Sequence, residues 1–296
     1  MAETYLSSSL CRNKKLEDSI VICSELASKN VELSAPHPFR TMNELRNILR
    51  KFRDDGINFS LHNYFPAPKD SFVLNIASSE KDTQEKCNTL INQALELCSY
   101  SESKVYAVHA GYLSKAKANS DGMFEFDDEQ YSYKDALNRA INFVNNISAK
   151  FEKNKVHFML ENLFPSQARN SSLFCNIDQI DELMNELPKE VGLLLDLGHL
   201  NISSNLMNFD RFKFLDRYLE KYGERVYEIH ISENNGLKDE HRALEKDSWQ
   251  LKALKNIRET NIKSNYMKDR VYCLESRNAN IKDIKTSISE INNIIS

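Results

Sequence analysis

Residues 226–241 read V-Y-E-I-H-I-S-E-N-N-G-L-K-D-E-H. The stretch starts as a short apolar strand and ends in a polar loop with a turn signal, Asn235-Gly236. Asp239 and His241 follow, two residues apart. A strand delivering His230, continued by a loop carrying D-x-H, is a natural source of metal ligands. Neutral imidazole with carboxylate suits zinc, manganese or iron(II). Taken alone, the same residues serve equally well as a polar loop with no shared task, so the surrounding chain decides.

Outward from that stretch, short apolar runs recur at residues 4–9, 31–34, 57–62, 105–109, 156–161, 191–196 and 271–275. Between them lie helical patterns at 15–28, 42–54, 80–98, 133–151, 177–187 and 209–222. A last helix at 281–295 repeats Ile284, Ile288, Ile291 and Ile295 at helical spacing. A loop with Pro66 and Pro68 follows the third run, and a long Gly- and Asp-containing loop follows the fourth. Within the latter, F-E-F-D-D at 124–128 is expected to cover an opening or to meet another subunit. Eight strands in strict alternation with helices, seven of which are placed, imply parallel strands joined by crossover helices. Eight is the number that closes a (β/α)8 TIM barrel, so the chain is assigned to the α/β class as such a barrel. No Gly-rich phosphate fingerprint follows any strand, which argues against a dinucleotide-binding sheet. No linker or composition shift divides the chain, so one domain is expected over 1–296.

Composition is that of an ordered globular protein, with 41% hydrophobic and 28% charged residues. The net charge of -4 gives no global attraction to nucleic acid. No apolar run is long enough for a bilayer, and the first residues, M-A-E-T-Y-L-S-S-S, lack the pattern of a secretory signal. A cytoplasmic protein is the expectation. The six cysteines form no C-x-x-C pair and read as reduced, mostly buried thiols.

In a parallel barrel the C-terminal strand ends line the mouth. Polar residues collect there: His62, His109, Glu161 and Asp196 end strands three to six, with His199 in D-L-G-H. His230 ends strand seven, Asp239 and His241 lie in its loop, and Glu275 ends strand eight. A lone strand-end carboxylate is usually a cap or an ion-pair partner. Six consecutive strands ending in metal-competent side chains point to a common purpose, a divalent-metal site. His37, in A-P-H-P-F, is placed in a turn or on the rim, and His157 reads as structural. Glu228 shares the face of His230 by alternation and has no assigned role.

With L-H-N-Y-F-P, V-H-A-G-Y, L-E-N, D-L-G-H, I-H-I-S-E-N-N-G-L-K-D-E-H and L-E-S-R at strands three to eight, the chain resembles the xylose isomerase-like barrel superfamily. That group includes sugar isomerases and epimerases, and also endonuclease IV, the metal-dependent apurinic-site nuclease. The resemblance implies that Glu161, Asp196, His230 and Glu275 form the common metal quartet. By the endonuclease IV pattern, His62 and His109 hold a second ion with Glu161 bridging, and His199, Asp239 and His241 a third. One to three ions, of zinc, manganese or iron, are implied. The nuclease's Gly-Ala-His start, its H-P-G and its Gly-rich, Arg-containing segment are replaced here by Y-L-S-S-S-L-C-R, H-A-G and N-N-G-L-K. The opening of the chain looks more like the sugar isomerase branch.

Two enzymatic readings follow. The first is a metal-dependent isomerase or epimerase of a sugar or sugar derivative, working through an enediolate-type proton transfer. Glu161 and Glu275 act there as base and acid, Asp196 and His230 are ligands only, and Arg277 with Arg242 or Lys238 holds a substrate carboxylate or phosphate. Tyr64, Phe65, Tyr112 and Phe164 form the wall, with Tyr64 and Tyr112 as substrate contacts. The second is an endonuclease IV-like metal-dependent phosphodiesterase. Only there does nucleic acid become a partner, with Lys115, Lys117 and Arg169 as local cations. A barrel that keeps its ligands for a binding role is the third, disfavoured because clustered ionisable groups are costly to bury without use.

Overall fold

The structure, a computed structural model, describes residues 3–12, 14–118, 124–167, 169–264, 270–277 and 279–296, without the side chains of 118 and 261–264. In chain order the elements are β1 (Thr4–Ser7), α1 (Leu16–Leu26), β2 (Asn30–Leu33), α2 (Met42–Asp54), β3 (Asn58–His62), α3 (Lys81–Ser101), β4 (Val105–His109), β5 (Ser114–Ala118) and β6 (Phe124–Gln130). Then come α4 (Tyr133–Lys153), β7 (His157–Glu161), α5 (Ile177–Met184), β8 (Gly192–Asp196), α6 (Leu197–Leu206), α7 (Arg211–Tyr222), β9 (Val226–Ile231), α8 (Trp249–Ser264), β10 (Val271–Leu274) and α9 (Ile281–Ile295). Eight strands, β1-β2-β3-β4-β7-β8-β9-β10, close into a parallel barrel, with β10 returning to β1. The expected (β/α)8 TIM barrel is the fold.

Period-two alternation sorts each strand into two faces. Phe158 and Leu160 of β7, Leu193 and Leu195 of β8, and Ile229 and Ile231 of β9 join the large core shared with the surrounding helices. The alternate residues Val105, Ala107, Met159, Leu194, Val271 and Cys273 form a separate small cluster, the barrel interior. Fully burying a Leu, Ile or Phe contributes roughly 1.5–3 kcal/mol, so the extensive outer layer supplies most of the stabilisation. The interior is free to carry polar groups. The same alternation puts Glu32, Ser60, Glu228 and His230 on the interior face, all fully buried. Helix starts are fixed locally: Thr41 and Glu44 form a reciprocal capping box on α2, and Asn176, Asp210 and Asn280 cap α5, α7 and α9.

Strict alternation is interrupted at two places. The span after β4, expected to be loop, contains the antiparallel pair β5–β6, in which the acidic residues lie on a strand; residues 119–123 within it are outside the described set. Two helices, not one, follow β8, because Asp196 caps a new helix directly at the strand end. The unplaced eighth crossover is α8. Pairing of β8 with β9 shifts between Leu193 and Leu194, a bulge that passes over Tyr227. Tyr227 stacks on His157 with ring centres 3.6 Å apart, so His157 is structural, as expected. His37 is buried, its Nε2 2.9 Å from Ser8 Oγ. All six cysteines are free and buried. Among the described residues no helix is long and apolar enough to cross a membrane.

Candidate metal centre

The barrel register brings the strand-end residues level with one another. His109 pairs with Glu161 across β4 and β7, and Asp196 with His230 across β8 and β9. The Asp239–His241 loop is folded back by a two-way backbone pairing of Glu233 with Arg242, both bonds 2.9 Å. Its turn is the one the sequence announces: Gly236 has φ +75°, and Asn235 Oδ1 accepts the N–H groups of Leu237 and Lys238. Gly198 of D-L-G-H lets α6 start against β9, since a Cβ there would meet Ser232 Oγ at 2.6 Å.

All nine candidate donors converge. Glu161 Oε2 lies 3.4 Å from His62 Nε2 and 3.3 Å from His109 Nε2, and Oε1 lies 3.1 Å from His199 Nδ1. Asp239 Oδ2 sits 3.6 Å from His199 Nε2 and 2.6 Å from His241 Nε2. His230 Nδ1 is 3.3 Å from Glu275 Oε2 and 3.8 Å from Asp196 Oδ2. Three overlapping triads, His62–Glu161–His230, Glu161–Asp196–His199 and Asp196–His230–Glu275, each have donor atoms within 4.8 Å of one another.

The hydrogen bonds around this set have a consistent sense. His199 Nδ1 donates to the Asn162 carbonyl at 2.8 Å, and His241 Nδ1 to the Glu275 carbonyl at 3.2 Å. His109 Nδ1 is 2.6 Å from the Tyr112 hydroxyl, and His230 Nε2 is 2.6 Å from Glu32 Oε2. His199, His230 and His241 thus have one nitrogen tied to an outer partner while the other faces carboxylates; His109 Nε2 faces Glu161 but also has Asn63 Nδ2 at 3.1 Å, and His62 Nδ1 has no partner. Buried Glu161 Oε2, Asp196 Oδ2, His230 Nδ1 and Asp239 Oδ1 have no hydrogen-bond partner. Inward-facing lone pairs, with outer nitrogens anchored, are what divalent cations require of imidazole and carboxylate. The residues fit such ions.

Electrostatics follow from crowding. Burial would raise the Glu161 carboxyl, but His109, His62 and His199 hold it well below its ordinary value. Burial pushes Asp196 up to about 7 and His109 down to about 4. Against their own burial, His199 is raised by Asp196 and Glu161, and His230 by Glu32 and Glu275. Glu275 is held well below its usual range by His241 and Arg277, again against burial.

The expected substrate contacts divide. Arg277 donates through Nη2 to Glu275 Oε1 at 2.7 Å and is at the cluster. Tyr112 is at the cluster too, but its hydroxyl is on His109. The Tyr64 hydroxyl accepts the Leu74 N–H at 2.7 Å. Arg242 pairs with Glu245 at 2.9 Å and Glu240 at 3.4 Å. Phe164 packs against His199 with ring centres 4.9 Å apart. Two residues were given no task by the sequence. Asn162 clasps Asp196 through both its amide groups, at 2.9 and 2.7 Å; its place beside Glu161 in L-E-N was the available signal. Glu32 is the other, and the alternation of V-E-L-S was its signal.

A parallel barrel with a histidine–carboxylate ring at its C-terminal mouth defines a broad class of (β/α)8 proteins. The family model for the xylose isomerase-like TIM barrel matches residues 20–290, and the chain belongs to that family. An uncharacterised protein of Methanocaldococcus jannaschii is 25% identical over 284 residues, 96% of this chain and 94% of that one. A probable endonuclease 4 of Sulfurihydrogenibium sp. is 24% identical over 184 residues, 60% of each. The crystal structure of a D-tagatose 3-epimerase-like protein superposes with a TM-score of 0.73 at 18% identity, covering 99% of this chain and 100% of the other. An AP endonuclease, family 2, from Brucella melitensis gives 0.63 at 12% identity, covering 98% of each. At such identities these structures share the fold.

Proposed function

We propose that the chain is a divalent-metal-dependent phosphoester hydrolase whose site is of the endonuclease IV kind. The observation that carries this reading is the continuity of the nine donors, more than one ion needs. His62 and His109 with Glu161, the quartet Glu161, Asp196, His230 and Glu275, and His199 with Asp239 and His241 would hold the ions. When bound, zinc, manganese or iron supplies Lewis-acid polarisation of a phosphoryl oxygen and acidification of the attacking water.

The chain's own groups favour hydrolysis over proton transfer at carbon. An isomerase needs carboxylate oxygens free to take and return a substrate proton. Both oxygens of Glu161 face imidazoles. Glu275 has Oε1 on Arg277 and Oε2 facing His230. Arg277 retains a buried Nε–H without a partner beside this pair, a donor suited to a phosphoryl or carboxylate oxygen. Asn162 keeps Asp196 in place from below.

The sugar isomerase or epimerase remains the second reading, favoured by the charge of the rim. Glu125, Asp127, Asp128 and Glu129 are exposed on β6, against Lys115 and Lys117 on β5. Lys115 is paired with Glu80 at 2.6 Å, and Arg169 donates to the Asp127 and Asp128 carbonyls. Such a rim repels a polyanionic duplex and suits a small sugar substrate better. The protein loaded with Zn2+ or Mn2+ is to be assayed against a small phosphodiester, an abasic-site duplex and ketohexoses in deuterated water. Phosphodiester cleavage abolished in Glu161→Gln is the expected result. Deuterium incorporation into a ketose without any phosphoester cleavage would make the isomerase reading the correct one.

A further inference from the structure

Among the imidazoles of the ring, His230 is held differently. Its outer partner is neither a backbone carbonyl nor a hydroxyl but a carboxylate, Glu32, reaching it from inside the barrel stem. Glu32 comes from β2, a strand that contributes none of the nine donors, and is 198 positions away in sequence. Both residues are completely buried, and the Nε2 to Oε2 distance is 2.6 Å. A carboxylate only accepts, and a neutral imidazole has one donor and one acceptor nitrogen. Glu32 therefore fixes the proton of His230 on Nε2 and leaves the lone pair on Nδ1. That nitrogen is without a hydrogen-bond partner and faces Glu275 and Asp196.

We propose that Glu32 is a positioning residue of the metal centre: it sets the tautomer and ring orientation of His230 and strengthens Nδ1 as a donor to a divalent cation. The proposal rests on the metal-dependent reading of the mouth and deepens it. Cys273 also lies near Glu32 and His230, but an ion held by those three would displace the proton of the 2.6 Å hydrogen bond. The stem thus supports the ring from below and does not hold an ion itself.

The effect of losing such a partner is about 10- to 100-fold in metal affinity. The measurement is Zn2+ affinity by competition with a chromogenic chelator, for wild type, Glu32→Gln, Glu32→Asp and Glu228→Gln. Glu32→Gln should bind about 10- to 100-fold more weakly. Glu32→Asp, which keeps the charge but withdraws it by one methylene, should fall between. Glu228→Gln alters the same stem without touching the His230 hydrogen bond and should stay close to wild type. Long-range 1H–15N spectra of the Zn2+-loaded protein should show His230 protonated on Nε2 and not on Nδ1. Three results would overturn the proposal: equal affinity in wild type and Glu32→Gln, an equal loss in Glu228→Gln, or a proton on Nδ1. A thiolate-to-cobalt charge-transfer band in the Co2+ form would place an ion in the stem and overturn it as well. Failure of wild type itself to bind any divalent ion would instead defeat the metal-dependent reading, and the proposal with it.

Discussion

Glu161 at the mouth and Glu228 in the stem are both closed off from water, 1% and 0% exposed, yet they are driven in opposite directions. Burial raises both carboxyls. At the mouth, three imidazoles overcome it and hold Glu161 low. In the stem, burial and the nearby charge of Glu32 push Glu228 far up, outweighing Ser60 and His230. Its closest ring nitrogen, His230 Nε2, is 3.9 Å away and committed to Glu32. The same residue type, on the same interior face, is thus kept as an anion where three imidazoles surround it and as a neutral acid where one imidazole, committed to another carboxylate, does not offset burial. The mouth is arranged to accept added positive charge, and the stem is arranged to do without it.

The largest effect expected from this contrast is at Glu161. Glu161→Gln keeps the shape but removes the charge that His62, His109 and His199 share. It should weaken divalent-metal binding by at least about 100-fold, beyond the loss from a supporting residue, as read by calorimetric titration. Retention of wild-type affinity would mean that the three imidazoles do not meet at an ion. A smaller effect of opposite sign is expected at Glu228. Its folded pKa lies above its unfolded value, so the folded chain binds more protons and loses relative stability as pH rises above about 4.3. Glu228→Gln should therefore match wild type near pH 4 and exceed it by at least about 1 kcal/mol at pH 8, since each unit by which the folded pKa stands above the unfolded one costs about 1.4 kcal/mol. Urea unfolding at the two pH values measures this. A variant less stable than wild type at pH 8 would show that the stem carboxyl is held by partners after all.

How much of this was legible follows from the physics of strands. Parallel strands must present one end to a common rim, so His62, His109, Glu161, Asp196, His230 and Glu275 could be placed together from linear positions alone. Glu32 obeys the same alternation, in V-E-L-S, but it lies below the strand tip and its partner lies far along the chain. Alternation marks it as facing inward, but nothing local in the sequence pairs it with His230. Tyr112 was expected on the substrate wall. Its hydroxyl is on His109 instead, a distinction that depends on the path of a loop and not on residue type. The β5–β6 hairpin had a signal in F-E-F-D-D, which alternates apolar and acidic residues over its first four positions. Phe124 and Phe126 turn inward onto Tyr112, with ring centres 5.5 and 5.3 Å away, while the acids face out. The bulge at Leu193–Leu194 is a matter of register between strands, which composition does not encode.

The claim that the mouth is a multinuclear centre is tested most directly by counting ions. The protein should be stripped with a chelator, titrated with Zn2+, and compared with an Asp239→Asn/His241→Gln double variant. The account predicts two or more equivalents per chain in wild type and at least one fewer in the variant. Zero or one equivalent in wild type, or an unchanged count in the variant, would contradict it.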